Sequence, residues 1–264
     1  MKSNMTVISL VFILFAALAL LVAALMLVSS KRDSTYFRWT SSLLSPVTET
    51  LHAWILDYPE LARLDNEKNS AVWRWFQPGL VDKKFDGQKI FLQTLHESVW
   101  YHNQRGPMMY RYFAGDGELS ARIKTRKSSD LSSFPDAEWQ FGGIIFRDPK
   151  GDAWFARENY VFNVIGFRRD KLQLEMKTTR DGRSDVSAID WPSGDADLSI
   201  VRRGEVFTIK AKSFDEPEWQ VLAVYNRPDL AQVLQVGVIV YSFSEGRRIF
   251  DLSAQVENLR LKQH

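Results

Sequence analysis

Charged and aromatic residues gather in the middle of the chain, at the end of a long apolar stretch. Six of them form a candidate ligand-binding site: Arg147, Asp152, Trp154, Arg157, Glu158 and Tyr160. Sugar sites use these residue types, because an aromatic ring stacks on the apolar face of a sugar while charged groups bond its hydroxyl rim. The alternative interpretation is structural, since most tryptophans are largely buried and such charges are common in turns.

The sequence gives little support for a metal site or a catalytic nucleophile. The chain has no cysteine, which removes disulfides, thiolate catalysis and cysteine metal sites. The four histidines, at positions 52, 96, 102 and 264, do not have the spacing of a metal set. Asp195 and Asp197 could hold calcium through their oxygens, but they equally fit a turn after Pro192. With no glycine-rich phosphate loop and no Gly-x-Ser-x-Gly elbow, we expect no cofactor.

Two neighbouring stretches have the patterns of β-strands. Residues 118–126 alternate between apolar and polar side chains, which predicts a strand with one buried and one solvated face. In residues 139–147 both the odd and the even positions carry apolar residues, as in a strand that is covered on both sides. Gly142 and Gly143 lie inside this second stretch and predict a bulge or a close backbone approach.

Further strand patterns continue to the end of the chain. They cover residues 72–76, 89–94, 108–113, 160–167, 171–178, 198–202, 206–213, 219–225, 233–243 and 249–261. Dense turn signals separate them, and no helical period lies between them. The chain is therefore predicted to be all-β, with an antiparallel two-sheet β-sandwich or jelly roll over residues 71–264.

Three sequence features give this region a family resemblance. A Gly-Asp turn opens the alternating "ELSARI" strand, "GGIIFRD" follows, and a hairpin around Asp215 ends at Trp219. Together they resemble the concanavalin A-like lectin/glucanase superfamily, in its poorly characterised branch, over residues 72–261. The glycine that this family places in the hairpin turn is missing here. The resemblance implies a jelly-roll sandwich and a glycan ligand.

The resemblance also implies where catalytic acids would stand. Laminarinase-type members of the superfamily carry carboxylates two or three residues apart on one strand, where one acts as nucleophile and the other as acid. Neither Glu-x-Asp-x-Glu nor Glu-x-Asp-x-x-Glu occurs, and Glu175 stands alone between lysines. We therefore lean against an enzyme, although acids drawn from separate strands stay open.

The N-terminal part predicts a membrane anchor. Residues 6–28 carry no charge and are long enough for a helix to cross a hydrocarbon core of about 30 Å. A cleaved signal peptide is the alternative, but its apolar region is usually only about 7–15 residues. We predict an anchor over residues 1–30, then a linker and a connecting helix over residues 31–70. The flanking charges hardly favour either orientation, and an extracytoplasmic β domain follows the convention for such anchors.

Charge and composition limit the partners. With 34 basic and 32 acidic residues, the chain lacks the basic field of nucleic-acid-binding proteins. Three hypotheses remain: a membrane-anchored lectin-like domain that binds a glycan or cell-envelope polymer without cutting it, a protein-interaction domain of a membrane complex, and a glycan hydrolase or lyase with dispersed acids. The first is the leading hypothesis.

Overall fold

The computed structural model of the protein describes residues 73–152 and 156–264. Within these residues the chain forms fourteen strands: β1 (Arg74–Phe76), β2 (Val81–Asp86), β3 (Lys89–Thr94), β4 (Met108–Ala114), β5 (Gly117–Arg126), β6 (Gln140–Arg147), β7 (Tyr160–Arg168), β8 (Lys171–Arg180), β9 (Arg183–Asp190), β10 (Asp195–Arg203), β11 (Val206–Lys212), β12 (Gln220–Asn226), β13 (Val233–Ser242) and β14 (Ser253–Gln263). The helical elements of this part are two short 3₁₀ turns, Pro78–Leu80 and Pro149–Asp152.

The strands form two antiparallel sheets of seven strands each. Sheet 1 has the order β1-β4-β13-β6-β7-β8-β9, and sheet 2 has the order β12-β11-β10-β5-β14-β3-β2. Consecutive strands often lie in different sheets, so the chain crosses repeatedly from one layer to the other. The predicted all-β class and the antiparallel two-sheet sandwich are confirmed.

The main core lies between the two sheets and follows from the alternation of side chains along each strand. In β5 every second residue is buried, and the residues between them are half-buried on the outer face. Leu119 and Ile123 of β5 pack in the same apolar cluster as Ile144 of β6 and Val238 of β13. The period of two read from the sequence therefore sets which face of sheet 2 meets sheet 1.

Strand β6 is buried along its whole length, as its apolar sequence predicts. Its register with β7 and β13 runs without a shift, so the two glycines do not form a bulge. A Cβ atom on Gly143 would collide with the carbonyl oxygen of Asn163 on β7, and one on Gly142 would come within 2.8 Å of the Ala254 side chain. The glycines therefore permit close approach, which is one of the two predicted possibilities.

Sheet 1 has a second apolar cluster on the face that points away from sheet 2. The cluster contains Phe141, Tyr160, Phe162 and Tyr241 from the sheet, together with Trp100. Trp100 belongs to residues 95–107, the connection between β3 and β4, which we call the cover segment. Because this segment lies over the outer face of sheet 1, that face is shielded from water, whereas the outer face of sheet 2 is not.

Two edge strands, β2 and β9, are absent from the prediction. Their side chains are mostly exposed, and β9 reads as a polar sequence with few β-branched residues. Their pairing depends on tight turns: Gly87, and Asp181 with Gly182, have positive φ angles in the turns that connect them to β3 and β8. These two strands therefore form because a tight turn pairs each of them with a neighbouring strand. Their own sequences lack the apolar alternation that would predict a strand.

Several predictions for the N-terminal part lie outside the described residues. They are the anchor over residues 6–28, the linker and connecting helix over residues 31–70, and the boundaries between them. Among the residues that the structure describes, no helix is long and apolar enough to cross a membrane.

Candidate functional site

The centre of the predicted ligand cluster is a buried ion pair. Arg147, the last residue of β6, is fully buried, and so is Glu158, just before β7. The two side chains meet side by side: Nε of Arg147 donates to Oε2 of Glu158 at 2.8 Å, and Nη2 donates to Oε1 at 2.8 Å. This two-point geometry is the strongest arrangement available to an arginine and a carboxylate.

The third nitrogen of Arg147 is also hydrogen-bonded. Its Nη1 atom donates to Oδ1 of Asp152 at 2.6 Å and to Oε1 of Gln235 on β13 at 2.5 Å. Gln235 in turn donates to Oδ2 of Asp152 at 2.8 Å. The cover segment adds a second cation, because Arg105 forms an ion pair with Glu158. Two arginines therefore balance two carboxylates in one closed network.

The electrostatics of this network keep Arg147 charged. Burial by itself disfavours the cation, but the hydrogen bonds and the negative charges of Glu158 and Asp152 outweigh burial and raise the pKa of Arg147. The Arg147 guanidinium also lies 4.6 Å from the ring centre of Phe76 and 5.7 Å from that of Trp100. All three of its nitrogens are hydrogen-bonded, both aromatic rings contact it, and the side chain is fully buried.

The other predicted residues differ in exposure. Tyr160 is fully buried and contacts Trp100 edge to face at 5.6 Å, and burial raises the pKa of its phenol far above the ordinary value. Asp152 keeps 41% of its side chain exposed, and Arg157 lies on the surface. Trp154 is outside the described residues. The structure thus brings Arg147, Asp152 and Glu158 together, and their ligand-binding role stays a prediction.

A second buried charge cluster lies further along the outer face of sheet 1. Glu175 on β8 contacts Lys177 at 3.0 Å and Arg168 at 3.2 Å. Lys177 donates to the carbonyl oxygen of Trp100 at 2.7 Å, so it also holds the cover segment. Burial lowers the pKa of Lys177 despite the adjacent carboxylate of Glu175. The charges on this face therefore serve to attach the cover segment.

The outer face of sheet 2 carries an open pocket of about 180 Å³. Its walls come from β5, β10, β14 and the loop before β12, and are formed by Ser120, Ala121, Arg122, Asp197, Trp219, Asn258 and Arg260. Trp219 is 36% exposed and supplies the aromatic surface. An aromatic ring beside a carboxylate, an amide, a hydroxyl and guanidinium groups is the residue combination of a sugar site.

The floor of the pocket is fixed by a second arginine–aspartate pair. Nε of Arg122 donates to Oδ1 of Asp197 at 2.9 Å, and Nη2 donates to Oδ2 at 3.1 Å. The hydrogen bond with Asp197 raises the pKa of Arg122. Phe214 covers the guanidinium at 4.0 Å, and Lys212 approaches both Asp197 at 4.0 Å and the ring centre of Trp219 at 5.7 Å. The side chains around Trp219 are therefore positioned before any ligand arrives.

An irregularity in β14 forms the opposite wall. The register between β14 and β5 shifts between Glu257 and Arg260, and Asn258 adopts a left-handed φ of 52°. Asparagine tolerates this conformation better than most residues. The shift inserts one extra residue into β14, and Asn258 and Arg260 then line the pocket.

Asp195 and Asp197, whose oxygens could also suit calcium, each face an arginine. Asp195 binds Arg126 at two points, 2.5 Å and 2.9 Å, just as Asp197 binds Arg122. Both carboxylates therefore face guanidinium groups. Within the described ranges, no group of three or more histidine, aspartate or glutamate side chains could hold a metal ion.

Sequence reasoning singled out parts of this pocket without joining them. The alternation of β5 placed Arg122 on the solvated face, the aspartate motif included Asp197, and the family resemblance included Trp219. Asn258 and Arg260 gave no signal, because a strand irregularity cannot be read from an apolar pattern. The pairing of β5 with both β10 and β14 brings these residues together.

Comparison with known proteins supports the fold. A functionally unknown protein from Saccharomyces cerevisiae is 15% identical over 74% of this chain and 98% of its own, with a TM-score of 0.60. The GH43 protein BlXynB from Bacillus licheniformis (11% identity, TM-score 0.56) is matched over 77% of this chain and 39% of its own. A xylan β-1,4-xylosidase from Bacillus halodurans C-125 is 14% identical with a TM-score of 0.54, and the match covers 72% of this chain and 36% of that protein. This chain thus spans well under half of the two longer proteins. No family model and no curated protein matches the sequence.

Proposed function

We propose that the protein is a non-catalytic, lectin-like binding protein that holds a glycan or cell-envelope polymer on the outer face of sheet 2. The observation that carries this proposal is the pocket beside Trp219. The proposal moves the binding site from the Arg147 cluster, where the sequence prediction put it, to the opposite side of the sandwich. Sheet 1 keeps the role of a rigid support.

The pocket has the chemistry that a sugar ring requires. Trp219 offers an exposed ring for the apolar face of the sugar, and Asp197 and Asn258 offer oxygen acceptors for its hydroxyl groups. Its volume of about 180 Å³ is below the range of about 300–1,000 Å³ for pockets that enclose drug-sized ligands. It therefore suits one residue of a longer chain that lies across the sheet.

Binding without cleavage follows from the acids at the pocket. Hydrolysis by two carboxylates needs a pair about 5–10 Å apart on either side of the scissile bond. Among the residues around the pocket, Asp197 is the one carboxylate, and both of its oxygens accept hydrogen bonds from Arg122. An aspartate held in this way orients hydroxyl groups, and two other carboxylates of this face, Asp195 and Glu257, are likewise held by basic side chains.

Two further parts of the proposal rest on the sequence. The strand motifs favour membership of the concanavalin A-like superfamily, and the two-sheet sandwich is compatible with it. The apolar residues 6–28 favour a single-pass anchor with the β domain outside the cytoplasm. A tethered sandwich of this kind would hold the membrane close to the polymer that it binds.

A glycan array tests the proposal. The full-length protein is presented in lipid nanodiscs, because glycoside detergents would compete for a sugar site. We expect specific hits, and we expect Trp219→Ala to weaken them by about tenfold or more, the effect of losing a central aromatic contact. Trp139→Ala is the matched control, since Trp139 is a partly exposed tryptophan at one end of sheet 1.

The same array separates the two candidate sites. Trp154→Ala tests the sequence-predicted cluster directly and should leave binding unchanged. A folded protein with no hits would contradict glycan binding altogether. Loss of binding in the Trp154 variant with retention in the Trp219 variant would return the site to sheet 1.

A protein-interaction function is the second candidate, and edge strand β12 favours it. Val221 and Val224 are 60% and 59% exposed on this edge of sheet 2. An exposed apolar edge strand can pair with a strand of another protein. Proximity labelling in cells should then recover a membrane partner with the wild type and lose it with Val221→Lys, whereas Trp219→Ala should retain it.

A further inference from the structure

We propose that the polymer bound at this pocket is acidic, a polysaccharide whose sugar residues carry carboxylate or sulfate groups. This inference rests on the proposed function and adds the chemical class of the ligand. Its starting point is the distribution of charge over the outer face of sheet 2, which differs from that of the whole chain.

The four strands around the pocket carry twice as many basic as acidic residues on their outer face. Strand register assigns eight basic and four acidic side chains to the outer face of β5, β10, β11 and β14. The basic residues are Arg122, Lys124, Arg126, Arg203, Lys210, Lys212, Arg260 and Lys262, and the acidic residues are Glu118, Asp195, Asp197 and Glu257. Over the whole sequence the two signs nearly cancel, with a net charge of +2. The excess is therefore local to these four strands, whereas the loop before β12 carries the exposed acidic residues Asp215, Glu216 and Glu218.

The acidic residues on this face already have partners. Asp195 and Asp197 bind Arg126 and Arg122, and Glu257 contacts Lys89 and Lys124. Glu118 accepts a hydrogen bond from Ser199 at 2.6 Å. Of the four carboxylates on these strands, Glu118 alone is not paired with a cation, and it lies opposite Lys262 in the strand register.

Four of the cations on this face have no partner within the described part of the chain. The side chains of Arg260, Lys210, Lys262 and Arg203 form neither an ion pair nor a hydrogen bond with residues 73–152 or 156–264. Arg260 is exposed and lines the pocket itself. A guanidinium with free donors at a sugar pocket matches a carboxylate or a sulfate, which it can bind at two points.

Strand pairing sets two of these cations in one row across the sheet. Arg260 lies opposite Ser120, Ser120 opposite Ser199, and Ser199 opposite Lys210. Neighbouring strands are about 4.8 Å apart, so the backbones at the two ends of this row are about 14 Å apart. The two serines between them carry no charge. A chain that crosses the strands along this row would meet a cation at each end and Trp219 beside the pocket.

A pair of polymers with the same backbone tests the inference. Polygalacturonate and its methyl-esterified form differ in charge, and their binding to the full-length protein is measured by biolayer interferometry in phosphatidylcholine nanodiscs, which carry no net charge. We expect the acidic polymer to bind about tenfold more tightly, the scale of one charge-assisted contact, and this preference to weaken as salt is added.

Single substitutions test which residues cause the preference for the acidic polymer. Arg260→Gln should remove most of it, because the variant loses more affinity for polygalacturonate than for the esterified polymer, and Lys210→Gln should reduce it less. Arg183→Gln is the matched control, because Arg183 is an exposed arginine on sheet 1 that has no ion pair among the described residues. Circular dichroism verifies that each variant is folded.

Four outcomes would overturn the inference, and one of them also ends the proposed function. Equal affinity for the two polymers, with both lost in Trp219→Ala, would retain glycan binding and remove the acidic preference. Equal losses in the Arg260 and Arg183 variants would mean general charge attraction. Tighter binding to phosphatidylglycerol vesicles than to polygalacturonate would make the face a lipid surface. Absence of binding to every glycan tested would end the inference together with the proposed function.

Discussion

The outer faces of the two sheets carry the same residue types in opposite surroundings. Each has a two-point arginine–carboxylate pair: Arg147 with Glu158 on sheet 1, and Arg122 with Asp197 on sheet 2. Aromatic rings contact both guanidinium groups. The pair on sheet 1 is fully buried under the cover segment, whereas 28% of the Arg122 side chain remains exposed.

The comparison shows that burial decides what such a pair can do. Under the cover segment every polar atom of Arg147 must find a protein partner, because unpaired charge is costly in a medium of low polarity. On the open face water solvates whatever the protein leaves unpaired, so Arg260 can remain available to a ligand. The residue types of the two pairs are the same and do not distinguish them.

The largest expected effect is a difference in stability between the two pairs. Arg147→Met leaves the carboxylates of Glu158 and Asp152 without their main partner, although Arg105 still contacts Glu158. We expect the free energy of unfolding to fall by about 3 kcal/mol, at the lower end for breaking a buried pair. Arg122→Met should cost about 1 kcal/mol or less, as for partly exposed pairs. Urea denaturation followed by tryptophan fluorescence measures both, and equal losses would contradict the comparison.

The second largest expected effect is a loss of stability at alkaline pH, which originates on the outer face of sheet 1. Burial raises the pKa of Tyr110, on the outer face of sheet 1, to about 12, and it raises that of Tyr241 further. The folded state thus favours the neutral phenols relative to the unfolded chain, where the pKa is about 10. Their contribution to stability is complete below pH 10 and declines as the pH rises toward 12.

Urea midpoints measured at several pH values between 9 and 12 check this sign. Tyr110→Phe should lose less stability over that range than the wild type. Arg122→Met, on the other sheet, should keep the wild-type slope. A slope that is identical in the wild type and the Tyr110 variant would show that this phenol is not the source.

The smallest expected effect is the response to salt. A double-mutant cycle with Arg122→Met and Asp197→Asn isolates the coupling energy of the exposed pair. At low salt we expect about 1 kcal/mol or less, decreasing at 1 M NaCl, where the screening length is about 3 Å. The matching cycle at Arg147 and Glu158 should change less, because ions do not enter the covered face. Equal salt sensitivity would mean that the cover segment admits water and ions.

Local patterns alone were sufficient for most of the framework. The alternation of residues 118–126 and the two-sided burial of residues 139–147 are seen as predicted, because side chains on a strand point to alternate faces whatever its neighbours are. The hairpin that ends at Trp219 was also predicted, and the structure pairs β11 with β12 there. Strands β2 and β9 were not, since edge strands have little apolar pattern.

The candidate site could be predicted only in fragments. Arg122, Asp197 and Arg260 are far apart in the sequence, and strand pairing alone makes them neighbours. Arg147 and Glu158, by contrast, are close in the sequence and resemble a surface cluster. The cover segment that buries them comes from residues 95–107, about forty residues earlier.

The sequence by itself thus determined the all-β class, most strand positions and the face that each side chain occupies. The tertiary structure decided which of those faces meets water. That choice depends on long-range packing of the cover segment and on the order of strands in each sheet, and neither leaves a local signal. Because an arginine is a structural ion when covered and free to bind a ligand when open, the fold determines where the proposed binding site lies.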